Sequence, residues 1–584
     1  MEARFTNSFA GSARKPANKV FRVQEQPLET PKNRGSLTLP ERCAAERWIA
    51  VGIFAVTVLY LCIFRRYTSV DPDEGIVLQG AERILNGEVL YRDFFSLLTP
   101  GSYYWLALIF KIFGDSMLVA RTALAVYGGI FSVFTYWVAR RISPRWIALL
   151  TAYFVTIACL PWRFMTLHNW DSTLWCCSTV YCAILLLQVP HWGWAFGLGI
   201  FASLTFLFEQ SKGAGLIIGL AFGFALAAWM QRSWSWYTTA RATALAIGLV
   251  CPLALTVGYF AAHRALGPML SDWMWAPSHY LTANRVPYGY ADWNDQERDA
   301  MFASGTLTER LAVCVAVSPC FFVPALPVIG AASLPHWIIS GRKGNVAIDR
   351  AVFYTLVSAT VGGLLLSVAG TRASNLHLVY LAPIFYLALG CILDGSDISS
   401  ALLRRIQPVL TIALFISFTA VGMALLVADR SAGHVVETSR GEVTTRVPDR
   451  VLEYTQAHLP PGTRTLVYPY LPLYYYLTDT FSAARYDYLQ PGMHTAKQNL
   501  EMVHDIDAHC PAAILFEPAF YEKISTSWPN TSPGLWANDP VAEYILRNYQ
   551  WCATLTSGAN SRFLFMVPAG AACPGDARRP ELDR

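Results

Sequence analysis

The sequence predicts an α-helical polytopic membrane protein that ends in a small soluble α/β domain. Three observations carry that expectation. Of the 584 residues, 54% are hydrophobic and only 15% are charged, whereas a soluble protein carries about a quarter charged residues. Apolar stretches long enough to cross a bilayer recur along most of the chain. From about Asp429 the composition turns to that of a soluble domain, with short strand-like runs alternating with helical patterns.

Taken in order, residues 1–47 are polar and basic and are expected to form a disordered cytoplasmic tail. The first apolar run starts late and has no small-residue cleavage site behind it, so a cleavable signal peptide is not expected. Trp48 to Phe64 is a first span, short but adequate if Arg65 and Arg66 reach back to the interface. Further spans are expected at Leu118 to Val138, Trp146 to Leu160, Trp170 to Leu187, Trp192 to Phe208, Gly213 to Met230 and Ala242 to Ala262. Leu311 to Ile339, Ala351 to Ala369, Leu376 to Leu393 and Val409 to Val427 follow, for about eleven in all. Loops at one end of these spans carry Arg140, Arg141, Arg145, Arg232, Arg241, Arg342, Lys343, Arg350, Arg404 and Arg405. Positive residues stay inside, so this end is assigned to the cytoplasm with the N-terminus. An odd number of spans then puts residues 429–584 outside, beyond a membrane domain at 48–428. In that last part Thr465 to Tyr470, Ala512 to Phe516 and Arg562 to Val567 are expected strands. Val451 to His458, Ala496 to His509 and Pro540 to Tyr549 are expected helices, and no phosphate-cradling glycine loop lies among them.

The net charge of +5 is small for this length, and the positive-inside loops absorb most of it, so no nucleic-acid partner is expected. The 13 Cys lack the paired spacing with His of a metal site. Most fall in apolar runs, where Cys behaves as a small buried hydrophobe. Cys510, Cys552 and Cys573 lie in the C-terminal part; outside the cytoplasm one disulfide among them is expected, with the pairing open.

The stretch that calls for a function is Asp71 to Gly114, between the first two spans. It holds Asp71, Asp73, Glu74, Glu82, Glu88 and Asp93, and carboxylates next to a bilayer are costly enough to imply a role. Local structure explains some of them. Asp71 is a natural N-cap, Pro72 suits the first helical position, and Glu74 completes a capping-box-like pair. The helix is expected to run to Leu85 and stop at Asn86-Gly87. Ile76, Val77, Gly80 and Ile84 share one face, which is expected to lie on the membrane surface. Ser102 to Phe113 is too short to cross and is expected to be a second interfacial or re-entrant helix. Capping accounts for Asp71 but not for two further acids at the same tip.

One span, a loop with Asp73-Glu74, then Asn86-Gly87-x-x-x-Tyr91-x-Asp93, Thr99-Pro100-Gly101-x-Tyr103-Tyr104, Phe113-Gly114-x-Ser116 and Arg121 entering the next span: this pattern resembles the N-terminal signature of bacterial GT-C glycosyltransferases. These are multi-pass enzymes related to protein O-mannosyltransferases, lipid A aminoarabinose transferases and rhizobial lipopolysaccharide core transferases. The resemblance is densest over residues 71–121. It continues as local echoes at Arg163 with His168 and Asp171, at Glu209-Gln210-Ser211-Lys212-Gly213, and at Arg372 with His377. It implies transfer of a sugar from a polyprenyl phosphate, usually with inversion, to a hydroxyl outside the cytoplasm, here at a bacterial inner membrane. It leaves the acceptor as lipid, cell-envelope polysaccharide or protein.

That chemistry needs a carboxylate to take the acceptor's proton and fixed positive charge for the leaving phosphate. The resemblance makes Asp73 the first candidate for the base and Glu74 the second. Arg92, Arg163, Lys212 and Arg372, each beside a span end, are candidates for binding the phosphate; the alternative for each is headgroup anchoring. His377 is either a phosphate ligand or a satisfied polar residue, Asp93 either joins the site or holds Arg92, and His168 is expected to be structural. Asp71 and Asp73 have the oxygen ligands that suit magnesium or manganese, but some relatives work without metal, so this stays open. The main rival is a lipid or polysaccharide transporter or flippase, which should show ionisable residues in helix centres and matching broken helices. A second rival is a non-catalytic receptor or assembly factor, which would tolerate Asp73→Asn.

Overall fold

The computed structural model describes residues 43–233, 237–291, 305–394, 401–430, 433–488, 494–520, 528, 530 and 539–574. Residues 1–42 of the tail expected over 1–47 and the side chain of Arg404 lie outside the described residues, while Ala44 to Arg47, expected to be disordered, form the first turn of the first helix. Among the described residues, 9 helices are long and apolar enough to cross a membrane, from Ala44–Phe64 to Arg405–Arg430. The other two expected spans are shorter apolar helices, Trp192–Phe208 and Ala382–Leu393. Among the described residues, nine of the eleven expected spans therefore have full crossing length.

The interruptions follow from proline, which lacks the N–H that a helix interior needs. The apolar run from Leu376 breaks into Asn375–Val379, Ala382–Phe385 and Leu387–Asp394 around Pro383. The Leu311 to Ile339 run divides into Leu307–Val317, Pro319–Ala332 and Leu334–Arg342. Elsewhere glycine sets the packing. Gln210–Gln231 and Ile348–Thr371 approach so closely that a Cβ on Gly215 would lie 2.4 Å from the Gly363 carbonyl oxygen, and one on Gly219 2.7 Å from that of Ala359. A small residue every fourth position on one face permits this backbone contact between membrane helices.

The two ends of the bundle differ in charge. Helix α1 (Ala44–Leu61) begins beside buried Glu46, which accepts from Arg145 Nη2 at 2.8 Å and from Arg140 Nε at 3.2 Å. Arg350 reaches the Ile142 carbonyl at 3.1 Å, so basic loops gather at this end. About 27 Å along α1, at 1.5 Å per residue, the chain meets the C-terminal part. There Thr68 N donates to Thr444 O at 2.9 Å and Thr444 N to Arg66 O at 2.8 Å.

The first loop folds as expected into α2 (Pro72–Leu85) and α3 (Gly101–Phe113). Asp71 caps α2 by accepting from Asp73 N at 2.9 Å, and Asn86 with Gly87 at φ +91° ends it. The reciprocal capping-box bond from Glu74 is not made; its carboxylate turns to Arg121 instead. Nor does α2 expose the face opposite its apolar stripe. Leu78 and Ala81, together with Val77 of that stripe, share one core with Leu106 and Phe110 of α3 and with Leu473 to Leu477 of the C-terminal part.

That part holds a hairpin, β1 (His434–Thr438) with β2 (Gly441–Thr445), and a five-stranded sheet. The sheet comprises β3 (Arg464–Tyr468), β4 (Phe481–Ser482), β5 (Ala513–Phe516), β6 (Tyr549–Thr556) and β7 (Arg562–Pro568), in the order β4-β3-β5-β7-β6. β3 runs parallel to β4 and β5, while β7 is antiparallel to both its neighbours. Cys552 and Cys573 form the disulfide, and Cys510 is free. Two clusters fasten this part to α2. Arg83 pairs with Asp487 at 2.6 Å, both almost fully buried, and Arg440 contacts Glu82, Asp115 and Asp479.

Candidate active site

A cavity of about 400 Å³ lies between the end of the helix bundle and the C-terminal part. Its wall is built where apolar runs stop, because only there does a membrane chain place polar side chains without a large desolvation cost. The start of α2 brings Asp71 and Asp73, the turn after Arg145–Ala158 brings Arg163, and the start of His168–Gln188 brings His168 and Asn169. Glu209 to Ser211 enter from the junction of two bundle helices, Arg372 and Ser374 from the turn after Ile348–Thr371, and His377 from Asn375–Val379. Tyr470, Tyr488 and Trp528 close it from the C-terminal part.

The centre of the site is a charge cluster. Arg163 Nη2 donates to Asp71 Oδ1 and Oδ2 at 3.0 and 2.9 Å and to Asp73 Oδ2 at 2.8 Å. Trp170 Nε1 donates to the Arg163 carbonyl at 3.1 Å and fixes the turn. Burial pushes the Asp71 carboxyl up from its ordinary range, against the pull of Arg163. The other oxygen of Asp73 accepts from the Tyr470 hydroxyl at 2.9 Å. Across the cavity Arg372 Nη1 donates to Asn284 Oδ1 at 3.0 Å, and His377 Nδ1 lies 2.9 Å from Ser374 Oγ.

Of the residues singled out in the sequence, Asp71, Asp73, Arg163, Arg372 and His377 share this wall, and Glu74, Arg92, Asp93 and Lys212 are not part of it. Glu74 is fully buried and faces the bundle, where Arg121 grips it at 3.0 and 2.5 Å and Thr166 N donates to it at 2.9 Å. Arg92 and Asp93 pair with each other at 2.7 Å. Lys212 stands behind the wall, donating to Asn169 O at 2.8 Å, Ser172 Oγ at 2.7 Å and Thr173 Oγ1 at 3.1 Å, and pairing with Glu209 at 2.9 Å. It therefore holds Glu209 in place. His168, expected to be structural, lines the cavity, as do Glu209, Tyr280, Asn284, Tyr380 and Tyr470, which the sequence did not single out one by one. The signal for Glu209 was its place in the Glu-Gln-Ser-Lys-Gly turn; the tyrosines have no local signal.

A divalent ion at Asp71 and Asp73 would meet carboxylates that Arg163 already engages. Arg163 bridges the two carboxylates, and no group of three or more His, Cys, Asp or Glu that could hold a metal exists among the described residues. The donor set as folded does not fit a magnesium or manganese ion between these acids.

Residues 98–255 match the family of dolichyl-phosphate-mannose-protein mannosyltransferases. The matched segment includes Arg163 and Lys212 but not Asp71 or Asp73, so it begins later than the stretch where the resemblance is densest by motif. No curated protein matches the chain in sequence. Among solved structures, ArnT from Cupriavidus metallidurans in the apo state matches at 14% identity and a TM-score of 0.50, over 90% of this chain and 98% of that one. The same protein bound to undecaprenyl phosphate matches at 14% and 0.46, over 91% and 100%. The oligosaccharyltransferase of Archaeoglobus fulgidus matches at 14% and 0.47, over 88% and 72%. In sequence over residues 98–255 this multi-pass membrane protein resembles the dolichyl-phosphate-mannose-protein mannosyltransferases, and in fold over most of its length it resembles ArnT in the apo state.

Proposed function

We propose that the cavity transfers a sugar from a polyprenyl-phosphate-linked donor to a hydroxyl-bearing acceptor, with inversion, on the side of the membrane opposite the N-terminus. The observation that carries this reading is the pairing in one cavity of a carboxylate at its wall, Asp73, with the cations Arg163 and Arg372. Asp73 takes the proton of the acceptor hydroxyl as its oxygen attacks the anomeric carbon. The bond from that carbon to the phosphate oxygen breaks, and the electron pair leaves with the phosphate, which Arg163, Arg372 and His377 receive. Arg163, shared between Asp71 and Asp73, holds the base until it is protonated and then turns to the departing phosphate. The dolichyl-phosphate-mannose chemistry of the matched family supports the donor class.

Residues 48–428 would then form the transferase domain and 429–584 an extracytoplasmic domain, in the inner membrane of a bacterium. Basic loops at the end of α1 remote from the cavity support that orientation. So does the Cys552–Cys573 disulfide, because such bonds persist in oxidising compartments.

The test is sugar transfer by the full chain in liposomes, with polyprenyl-phosphate mannose as the donor probe and native-membrane glycolipid as the acceptor. Asp73→Asn should melt like wild type and lose transfer by roughly 10²-fold or more, the usual contribution of a general base. Wild-type transfer by Asp73→Asn would overturn the assignment.

A further inference from the structure

Both oxygens of Asp73 are engaged, one by Arg163 from the bundle and the other by the Tyr470 hydroxyl from the C-terminal part. Tyr470 is 5% exposed and held edge-on by Tyr488 at 5.6 Å and by Trp528 at 5.8 Å between ring centroids. Close to this bond the two parts touch backbone to backbone. A Cβ on Gly75 would lie 2.1 Å from Leu473 N and 2.6 Å from Leu473 Cα. Gly75 follows Asp73 by two residues and Leu473 follows Tyr470 by three, so this contact sets the distance across which the hydroxyl reaches the carboxylate.

We infer that Tyr470 is a positioning residue for Asp73, and that the C-terminal part completes the site by orienting the carboxylate toward the incoming hydroxyl. The inference rests on Asp73 acting as the base. Burial, reinforced by the charge of Asp73, holds the Tyr470 phenol well above its ordinary range, so it stays a neutral donor. A carboxylate with one oxygen fixed by an arginine and the other by a phenol keeps a single rotamer, which is the preorganisation that a base needs. Because the phenol belongs to the C-terminal part, separation of that part from α2 would leave the base unaligned.

The experiment compares wild type, Tyr470→Phe, Gly75→Ala and Asp73→Asn as full chains. Tyr470→Phe keeps the ring and its packing and should keep the melting behaviour and the KM for the mannose donor. Its kcat should fall roughly ten- to hundredfold, as expected for losing a hydrogen bond to a charged group. Gly75→Ala should lower kcat in the same way through the displaced backbone. Independently of activity, 3-fluorotyrosine placed at position 470 should shift its ¹⁹F resonance in Asp73→Asn and in Gly75→Ala. An unmoved resonance in Asp73→Asn, or wild-type kcat in Tyr470→Phe beside an inactive Asp73→Asn, overturns this inference and leaves the transfer reading standing. Full transfer by Asp73→Asn overturns the transfer reading, whatever the resonance shows.

Discussion

Glu74→Gln separates the two adjacent acids of α2. Glu74 and Arg121 are 0% and 1% exposed, and Arg121 also donates to the carbonyls of Tyr67 and Arg65, which ties the exit of α1 to the first turn of α2. Glutamine keeps the shape of the side chain and an oxygen for Thr166 N, so the change removes little except the charge that faces Arg121. Breaking a buried ion pair by neutralising one partner costs about 3–5 kcal/mol, and the retained amide oxygen favours the lower figure. Against a total of roughly 5–15 kcal/mol for a folded domain, that loss is large enough to lower the melting temperature in detergent by many degrees. The double variant Glu74→Gln with Arg121→Gln removes both charges and should recover most of the lost stability. Its transfer rate per folded molecule should stay near wild type, because Glu74 is not among the residues lining the cavity. A Glu74→Gln protein that melts like wild type yet transfers nothing would refute this reasoning and make Glu74 a chemical participant.

Two further outcomes concern the C-terminal part. Burial raises Glu82 to about 7 from an ordinary 4.5, against the pull of Arg440, while Asp479 and Asp115 add repulsion. The folded carboxyl therefore keeps its proton to higher pH than the unfolded one. The stability this contributes is fully present below about 4.5 and is lost as pH rises through about 7. Thermal melts from pH 4 to 8 should show that decline in wild type and a flatter profile in Glu82→Gln; identical profiles would remove Glu82 as the cause. Replacing Cys552 and Cys573 by serine opens a loop of sequence separation 21 and should cost about 2–4 kcal/mol. Hydrogen exchange should report that loss in β6 and β7, and unchanged protection there would count against it.

How much of this was legible depends on how local each signal is. The start and stop of α2 were readable because Asp71, Pro72 and Asn86-Gly87 act within one turn of themselves. Asp73, Arg163, Arg372 and His377 were readable as a set because each stands where an apolar run ends, and run ends are visible in composition. Choosing between Asp73 and Glu74 was not a local matter. Neighbours on a helix point about 100° apart, and the partner that decides their fates, Arg121, lies 47 residues from Glu74. In the sequence Lys212 is a candidate for binding the phosphate, but folding places Asn169, Ser172 and Thr173 of another helix around its ammonium. Tyr470 lies 397 residues from Asp73, and no spacing rule reaches that far.

The charges of the cavity also constrain the order of events in the proposed reaction. Asp71, Asp73 and Glu209 stand against Arg163, Arg372 and the Lys212 that holds Glu209, so the formal charges cancel before any donor arrives. A sugar linked through a phosphodiester brings one negative charge. Its departure as a phosphate monoester creates a second, in a site where an uncompensated charge is expensive. The acceptor's proton, taken up by Asp73, cancels that new charge in the same step. Asp73 then no longer competes for Arg163, and the guanidinium is released to the phosphate when the phosphate needs it most. Proton uptake and phosphate stabilisation are thus coupled through one shared arginine. By this logic Arg163→Lys, which keeps the charge but loses the planar guanidinium that Met165 Sδ holds by Nε while Nη2 serves both acids, should lower kcat far more than it raises the KM for the mannose donor.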